Sequence, residues 1–384
     1  MDPKLLTIDM DYVTDVLLRL LACPSPSGHT DDVMRLLGSE IDALGMRSQM
    51  TRRGSLVADF DGEEGNPDRA VVVHADTVGC MVKELKGNGR LRVVSVGTFS
   101  ARFAEGATVT ILTDDPERRH TGTILPLKAS GHTFGDEVDT EPIGWPYVEV
   151  RVDEPVFDEQ GLRHLGIQVG DFVALEANPR ITSSGFVCSR HLDDKAGIAA
   201  ALGAFKAVID HGLKPVVSAH LLVTIAEEVG QGASHGLHAD VAELVSIDNA
   251  VIAPGQASKE TGVNVVMQDS SGPFDYHLTR KLLHLADELG VPTQRDVFNF
   301  YRSDIASALE AGAETRAALI GFGVDASHGH ERTHLDGIRN VAELIAAYLQ
   351  SELLFPADVK PLVPHDEFFT QEQAQEARGF PADD

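Results

Sequence analysis

Metal-ligand and acid-base side chains recur along this chain in short groups, each at the end of an apolar run. His74-Ala75-Asp76 follows Ala70-Val71-Val72-Val73, Asp193-Asp194 follows a run at 185–189, and Glu227-Glu228 follows the run ending at 226. Asp248 closes Leu244-Val245-Ser246-Ile247, and His328 lies just beyond the run at 317–323. Carboxylates gathered in one place repel one another and raise their own pKa values, so they need bases or cations beside them. The nearest bases, Arg190, Lys195 and Arg332, are few. Two imidazoles and three carboxylates suit a pair of borderline divalent ions such as Zn²⁺, with Co²⁺ or Mn²⁺ as alternatives. Such a pair acidifies water, clamps a carbonyl oxygen and stabilises a tetrahedral intermediate, which is the chemistry of metal-assisted amide hydrolysis. Each group alone says little. Asp-Asp before a helix is ordinarily a cap with favourable charge, and Glu-Glu-Val-Gly is ordinarily a charged turn. Their joint placement carries the reading.

The elements that must position these groups follow from periodicity. Apolar residues at helical spacing predict helices over 9–22 and about 30–45, and the apolar run at 70–73 predicts a buried strand. From about 81 to 182 short alternating segments separated by Gly, Pro and Asp predict an all-β unit. Strands and helices then alternate: helix 195–211, strand 218–226, helix 274–290, strand 293–299, helix 304–311, strand 317–323 and a final helix 336–353. The expected fold is α/β, a mainly parallel sheet sandwiched by helices with an inserted small all-β domain. Residues 1–80 and 183–355 form the discontinuous catalytic domain, 81–182 a β-barrel-like insert, and 356–384 an acidic tail. All five ligand groups then sit at carboxyl ends of parallel strands, the edge where open α/β sheets bind ligands.

Charge and composition narrow the partners. The 384 residues carry 59 acids against 32 Lys and Arg, a formal charge of −27. That excess repels phosphate backbones and anionic bilayers, so neither nucleic acid nor membrane is expected. No apolar run is long enough to cross a bilayer, and the N-terminus lacks the pattern of a signal peptide. Three cysteines in so long a chain point to a reducing, cytoplasmic setting. His132, His220, His277 and His284 fall outside the constellation and read as surface or packing residues. Cys80 and Cys188 read as small hydrophobes.

His74-Ala75-Asp76-Thr77-Val78-Gly79, His191-Leu192-Asp193-Asp194-Lys195-Ala196-Gly197, Glu227-Glu228-Val229-Gly230 and Ser246-Ile247-Asp248, in this order, resemble the co-catalytic metallo-aminopeptidases of the glutamyl aminopeptidase and tetrahedral aminopeptidase type. The likeness spans about residues 10–355. It implies an aminopeptidase acting on peptides, with His74 and Asp248 on one metal, Glu228 on the second and Asp193 bridging both. It further implies Glu227 as general base, Asp76 as the group that holds the His74 ring, and a cis Asp193–Asp194 peptide. Relatives of this type assemble as dimers to dodecamers, so a homo-oligomer is expected. The chain departs from the family in two places. Thr77 replaces an acid, and the usual last-ligand motif is replaced by a loop bearing His328, His330 and His334. His328 is favoured as that ligand, His334 is the alternative, and His330 comes third. This loop resembles a subgroup associated with small glutamine-dipeptide osmoprotectants, which keeps hydrolysis or deacylation of a small acylated amino acid or dipeptide as an alternative. A non-catalytic binding paralogue is the third reading.

Overall fold

The computed structural model describes residues 3–376. Two amphipathic helices, Met10–Leu21 and Asp31–Ala43, open the chain. In the first, Val13, Val16, Leu17, Leu20 and Leu21 form one buried stripe, and the Asp9 side chain caps the start by accepting from the Tyr12 N–H. The sheet begins with β1 (Arg47–Met50), β2 (Leu56–Phe60) and β3 (Glu64–His74). Then come β4 (Gly79–Leu85), β5 (Arg90–Val96), β6 (Thr108–Leu112), β7 (Arg119–Pro126), β8 (Val148–Val152) and β9 (Phe172–Leu175). These six close on themselves in the order β4-β5-β8-β7-β6-β9, a small barrel. The sheet resumes with β10 (Arg180–Ile181), β11 (Phe186–Ser189), β12 (Val217–Thr224), β13 (Val241–Ile252), β14 (Val263–Asp269), β15 (Gly272–Pro273), β16 (Thr293–Val297), β17 (Arg316–Asp325) and β18 (Glu331–His334).

The main sheet runs β1-β2-β12-β3-β13-β17-β18-β11-β10, with β14 attached to β17. Its centre is parallel, β12 against β3, β3 against β13 and β13 against β17. Because successive strand residues face opposite sides, Val71 and Val73 enter the larger core while Ala70 and Val72 enter a smaller one on the other face. On the larger side lie helices Met10–Leu21, Leu192–Asp210, Tyr276–Leu289 and Leu335–Gln350. Leu192–Asp210 is buried on nearly every side, and its small residues permit close helix contacts. A Cβ on Gly203 would come within 2.5 Å of Val13. The barrel has its own core, including Leu91, Val93, Val109, Ile111 and Val150. Each such fully buried aliphatic side chain contributes about 1.5–3 kcal/mol.

Three expectations need correction. The strand before Asp193, β11, pairs antiparallel with β18 and β10 and does not belong to the parallel run. Asp248 does not end its strand, because β13 continues beside β17 as far as Ile252. The stretch read as a tail is docked in part: Arg316 pairs with Asp358 at 2.6 Å, and Phe369 stacks on Phe355 with centroids 4.1 Å apart. Residues 377–384 of that stretch lie outside the described residues. Among the described residues no helix is long and apolar enough to cross a membrane.

Candidate metal centre

Each ligand-type residue reaches the centre by a different local device. His74 is the last residue of β3, so its ring leaves the sheet at the strand's end, with Asp76 two residues on. Asp193 lies in the first turn of Leu192–Asp210, where Asp193 and Asp194 have non-helical backbone angles and the bond between them is cis. Glu227 and Glu228 occupy a short 3₁₀ turn after β12. Asp248 projects from the middle of β13. His328 sits in the β17–β18 turn at φ +63°, a left-handed backbone that a non-glycine residue adopts at some cost and that concentrates at functional sites.

Asp193 is the hub. Its Oδ1 lies 3.1 Å from His74 Nε2, and its Oδ2 lies 3.3 Å from His328 Nε2. Around His74 Nε2, Glu227 Oε2 and Asp248 Oδ1 each stand at 3.9 Å. His328 Nε2 is 3.4 Å from Glu228 Oε2. The donor atoms of His74, Glu227 and Asp248 lie within 4.8 Å of one another, as do those of His74, Asp193 and Glu228. Both rings are oriented by carbonyls, which can only accept. His74 Nδ1 donates to the Asp76 carbonyl at 3.0 Å, and His328 Nδ1 donates to the Thr98 carbonyl at 3.0 Å. That leaves each Nε2 turned toward the carboxylates. The Asp76 carboxylate accepts the Glu227 and Glu228 backbone N–H groups at 3.1 and 3.3 Å and so locks the 3₁₀ turn.

The expected bases are directed elsewhere. Lys195 Nζ donates to the carbonyls of Leu20 and Cys23, and Arg332 pairs with Glu260. Among the described residues, the ion pairs of Asp193, Glu227, Glu228 and Asp248 involve only His74 and His328. Burial pushes the Glu227 carboxyl well above the usual range and Glu228 up to about 8. Burial works against the His328 ring, but Glu228 and Asp193 raise it to about 10. His74 is likewise held well above its ordinary value by Asp193, Asp248 and Glu227 despite burial. Asp193 goes the other way: burial opposes its charge, yet hydrogen bonds from His328 and His74 hold it far down.

Of the three loop histidines, only His328 reaches the centre. His334 has both ring nitrogens engaged, Nε2 with the Ser184 carbonyl and Nδ1 with the Asp336 N–H, and it caps the final helix. His330 is exposed. Several residues at the site carry no signal in the sequence. Glu331 binds the backbone N–H groups of both His328 and Asp193, at 2.9 and 3.2 Å, so it ties two distant segments together. Asn249 Nδ2 donates to Asp193 Oδ2 at 2.6 Å. The Tyr301 hydroxyl faces Asp248, and burial with that carboxylate keeps its pKa well above the ordinary phenol value. A cleft of about 900 Å³ opens on the centre, lined among others by Asp248, Asn249, Phe298, Phe300, Tyr301 and Arg302. The barrel closes one wall at Gly97-Thr98. Gly97 has φ +82°, and a Cβ there would press within 3.0 Å of Val78.

Known proteins resemble this chain in sequence and in fold. The profile of a family described as M42 glutamyl aminopeptidase matches residues 54–344. A Bacillus subtilis (strain 168) protein named aminopeptidase YhfE is 34% identical over 340 residues, covering 88% of this chain and 98% of that one. Among solved structures, a TET aminopeptidase from a marine sediment archaeon of the Thaumarchaeota superposes with a TM-score of 0.81 at 18% identity, covering 91% of this chain and 98% of that one. The Pyrococcus horikoshii TET1 peptidase, which can assemble into a tetrahedron or a large octahedral shell, gives 0.78 at 21% identity, covering 88% and 100%.

Proposed function

The chain belongs to the M42 glutamyl aminopeptidase family, and on that premise we propose that its acid-rich cluster holds two divalent cations. The protein is a metal-dependent aminopeptidase. The observation that carries the two-ion reading is Asp193, one carboxylate with Oδ1 turned to His74 and Oδ2 to His328. His74 and Asp248 would hold the first ion, His328 and Glu228 the second, and Asp193 both. The donor set fits. Buried carboxylates without Lys or Arg partners need cationic compensation, and two imidazoles with three carboxylates suit Zn²⁺ best, then Co²⁺ or Mn²⁺. Bound there, such ions acidify water and draw charge from the scissile carbonyl.

The chain's own groups do the rest. Glu227 projects beside His74 without being needed as a ligand, so its carboxylate takes the proton from the attacking water and delivers it to the departing amine. Asp76 fixes the turn that aims Glu227 and the ring that aims His74. Tyr301 and Asn249 border the cleft as neutral donors. The negative rim favours a free substrate ammonium, which suits peptides with an open N-terminus. We also propose a homo-oligomer, between dimer and dodecamer, by likeness to the assembling TET1 peptidase. Cys23, Cys80 and Cys188 are all unpaired, in keeping with a cytoplasmic setting.

The test is chelation and reconstitution. Stripped protein should lose hydrolysis of an unblocked peptide, regain it with Zn²⁺, Co²⁺ or Mn²⁺ at two equivalents per chain, and leave the N-acetylated peptide intact. Full activity after stripping, or saturation below one equivalent, would refute the proposal.

A further inference from the structure

A second cluster of ligand-type side chains lies away from the catalytic edge. In the register of the sheet, His220 on β12 stands beside Asp59 on β2 and Ala70 on β3. Directly paired residues share a face, and so do residues two apart on one strand. Asp59, His220 and Asp68 are therefore brought to one side, the side of the smaller core. His238, from the segment just before β13, comes down on them. Its Nδ1 lies 2.6 Å from Asp68 Oδ2, its Nε2 lies 3.7 Å from Asp59 Oδ1, and its ring packs on His220 with centroids 4.2 Å apart. His220 Nδ1 is 3.9 Å from the same Asp68 oxygen.

His220 is the informative residue. It is 1% exposed, and neither ring nitrogen has a hydrogen-bond partner. A neutral imidazole carries one donor and one acceptor, and buried polar atoms are rarely left unmatched. Burial, then the neighbouring His238, lowers its pKa to about 3, so the ring is in the neutral form that ligates metals. Ligand atoms of Asp68, His220 and His238 lie within 4.8 Å of one another. Around a tetrahedral ion with bonds near 2.1 Å, ligand atoms stand about 3.4 Å apart. The separations of 2.6 and 3.9 Å from Asp68 Oδ2 bracket that spacing. Asp59 would accept from the far nitrogen of His238, the usual outer partner of a ligating imidazole. His238 is 38% exposed, which leaves the cluster open to an entering ion and a water ligand.

We propose that Asp68, His220 and His238 form a structural site for a third divalent ion, Zn²⁺ by its donor set, which joins β3, β12 and the segment entering β13. Asp68 precedes His74 on β3 by roughly 20 Å of strand, so this site takes no part in the hydrolysis. Crystals of the whole protein, dialysed against micromolar Zn²⁺ and measured at the zinc absorption edge, should show an anomalous peak between these three side chains, separate from the catalytic peaks. His238→Ala should remove that peak and one metal equivalent per chain and lower the melting temperature of the zinc-loaded protein, while peptide hydrolysis continues. His238→Gln should do the same, and serves if the alanine variant does not fold. Wild-type crystals with zinc only at the catalytic edge, or either variant with unchanged zinc content, would overturn the proposal.

Discussion

One strand carries two buried carboxylates whose fates are opposite. Glu243 near the start of β13 and Asp248 five residues later are both enclosed by protein. Glu243 is fully compensated. Arg69 reaches it at 2.9 Å, Lys281 at 3.2 Å and the Leu354 N–H at 2.6 Å, while Arg69 also lies over the Tyr348 ring and donates to the Ser351 and Glu352 carbonyls. Burial raises the Glu243 carboxyl, but Lys281 and Arg69 outweigh it and bring the pKa down to about 2. Asp248 has acids as neighbours, and burial and Asp193 push it up. A buried acid with its countercharge built in holds a fold together. One without it awaits a cation from outside. The difference between the two ends of β13 separates scaffold from chemistry more clearly than the number of acids at either end.

The following experiments would break or sharpen that contrast. The largest effect is expected from Glu227→Gln, which keeps the site's shape but removes the proposed base. Turnover should fall by roughly 10³-fold with metal content unchanged, checked by peptide hydrolysis and elemental analysis. Next, Glu243→Gln strands Arg69 and Lys281 in the interior and should cost about 3–5 kcal/mol in urea unfolding. Asp248→Asn should instead lose a metal equivalent while leaving the metal-free fold as stable or stabler by about 1 kcal/mol, because it removes repulsion.

Another concerns pH. The Glu243 pKa is depressed from 4.5 to about 2, so its contribution is fully present above 4.5 and is lost as the pH falls from there toward 2. The stability gap between wild type and Glu243→Gln should accordingly narrow on acidification toward pH 3. A gap independent of pH would mean that Glu243 acts by shape and not by charge. The smallest effect is expected from His334→Ala, about 0.5–1 kcal/mol for a lost helix cap with metal content unchanged. His328→Ala, in the same loop, should lose one of the two proposed ions.

The alternation of apolar strands and helices, and the pairing of ligand groups with strand ends, are local patterns, so the α/β class and most of the cluster could be read from the chain. His74, Glu227 and Glu228 follow directly, because a strand that ends and turns announces itself in a few residues. Asp248 was recognisable as a member but misplaced at a strand end, since only the neighbouring β17 shows that β13 continues to Ile252. Asp193 was recognisable too, although its strand runs antiparallel to its neighbours. Spacing favoured His328 over His334 and His330, but the physical ground of that choice lies beyond spacing. It depends on which ring nitrogens are already engaged by Ser184, Asp336 and Thr98.

The sequence by itself determined the residue types, their order and the elements that carry them, because periodicity and strand ends are set by neighbours along the chain. Only the tertiary structure decided which acids are compensated. Glu243 meets Arg69, and Glu331 meets Asp193, across long separations in sequence. Asp68, His220 and His238 share a face only through the register of adjacent strands. Charge compensation falls off over a few ångströms, and distances of that size between remote residues are fixed by packing.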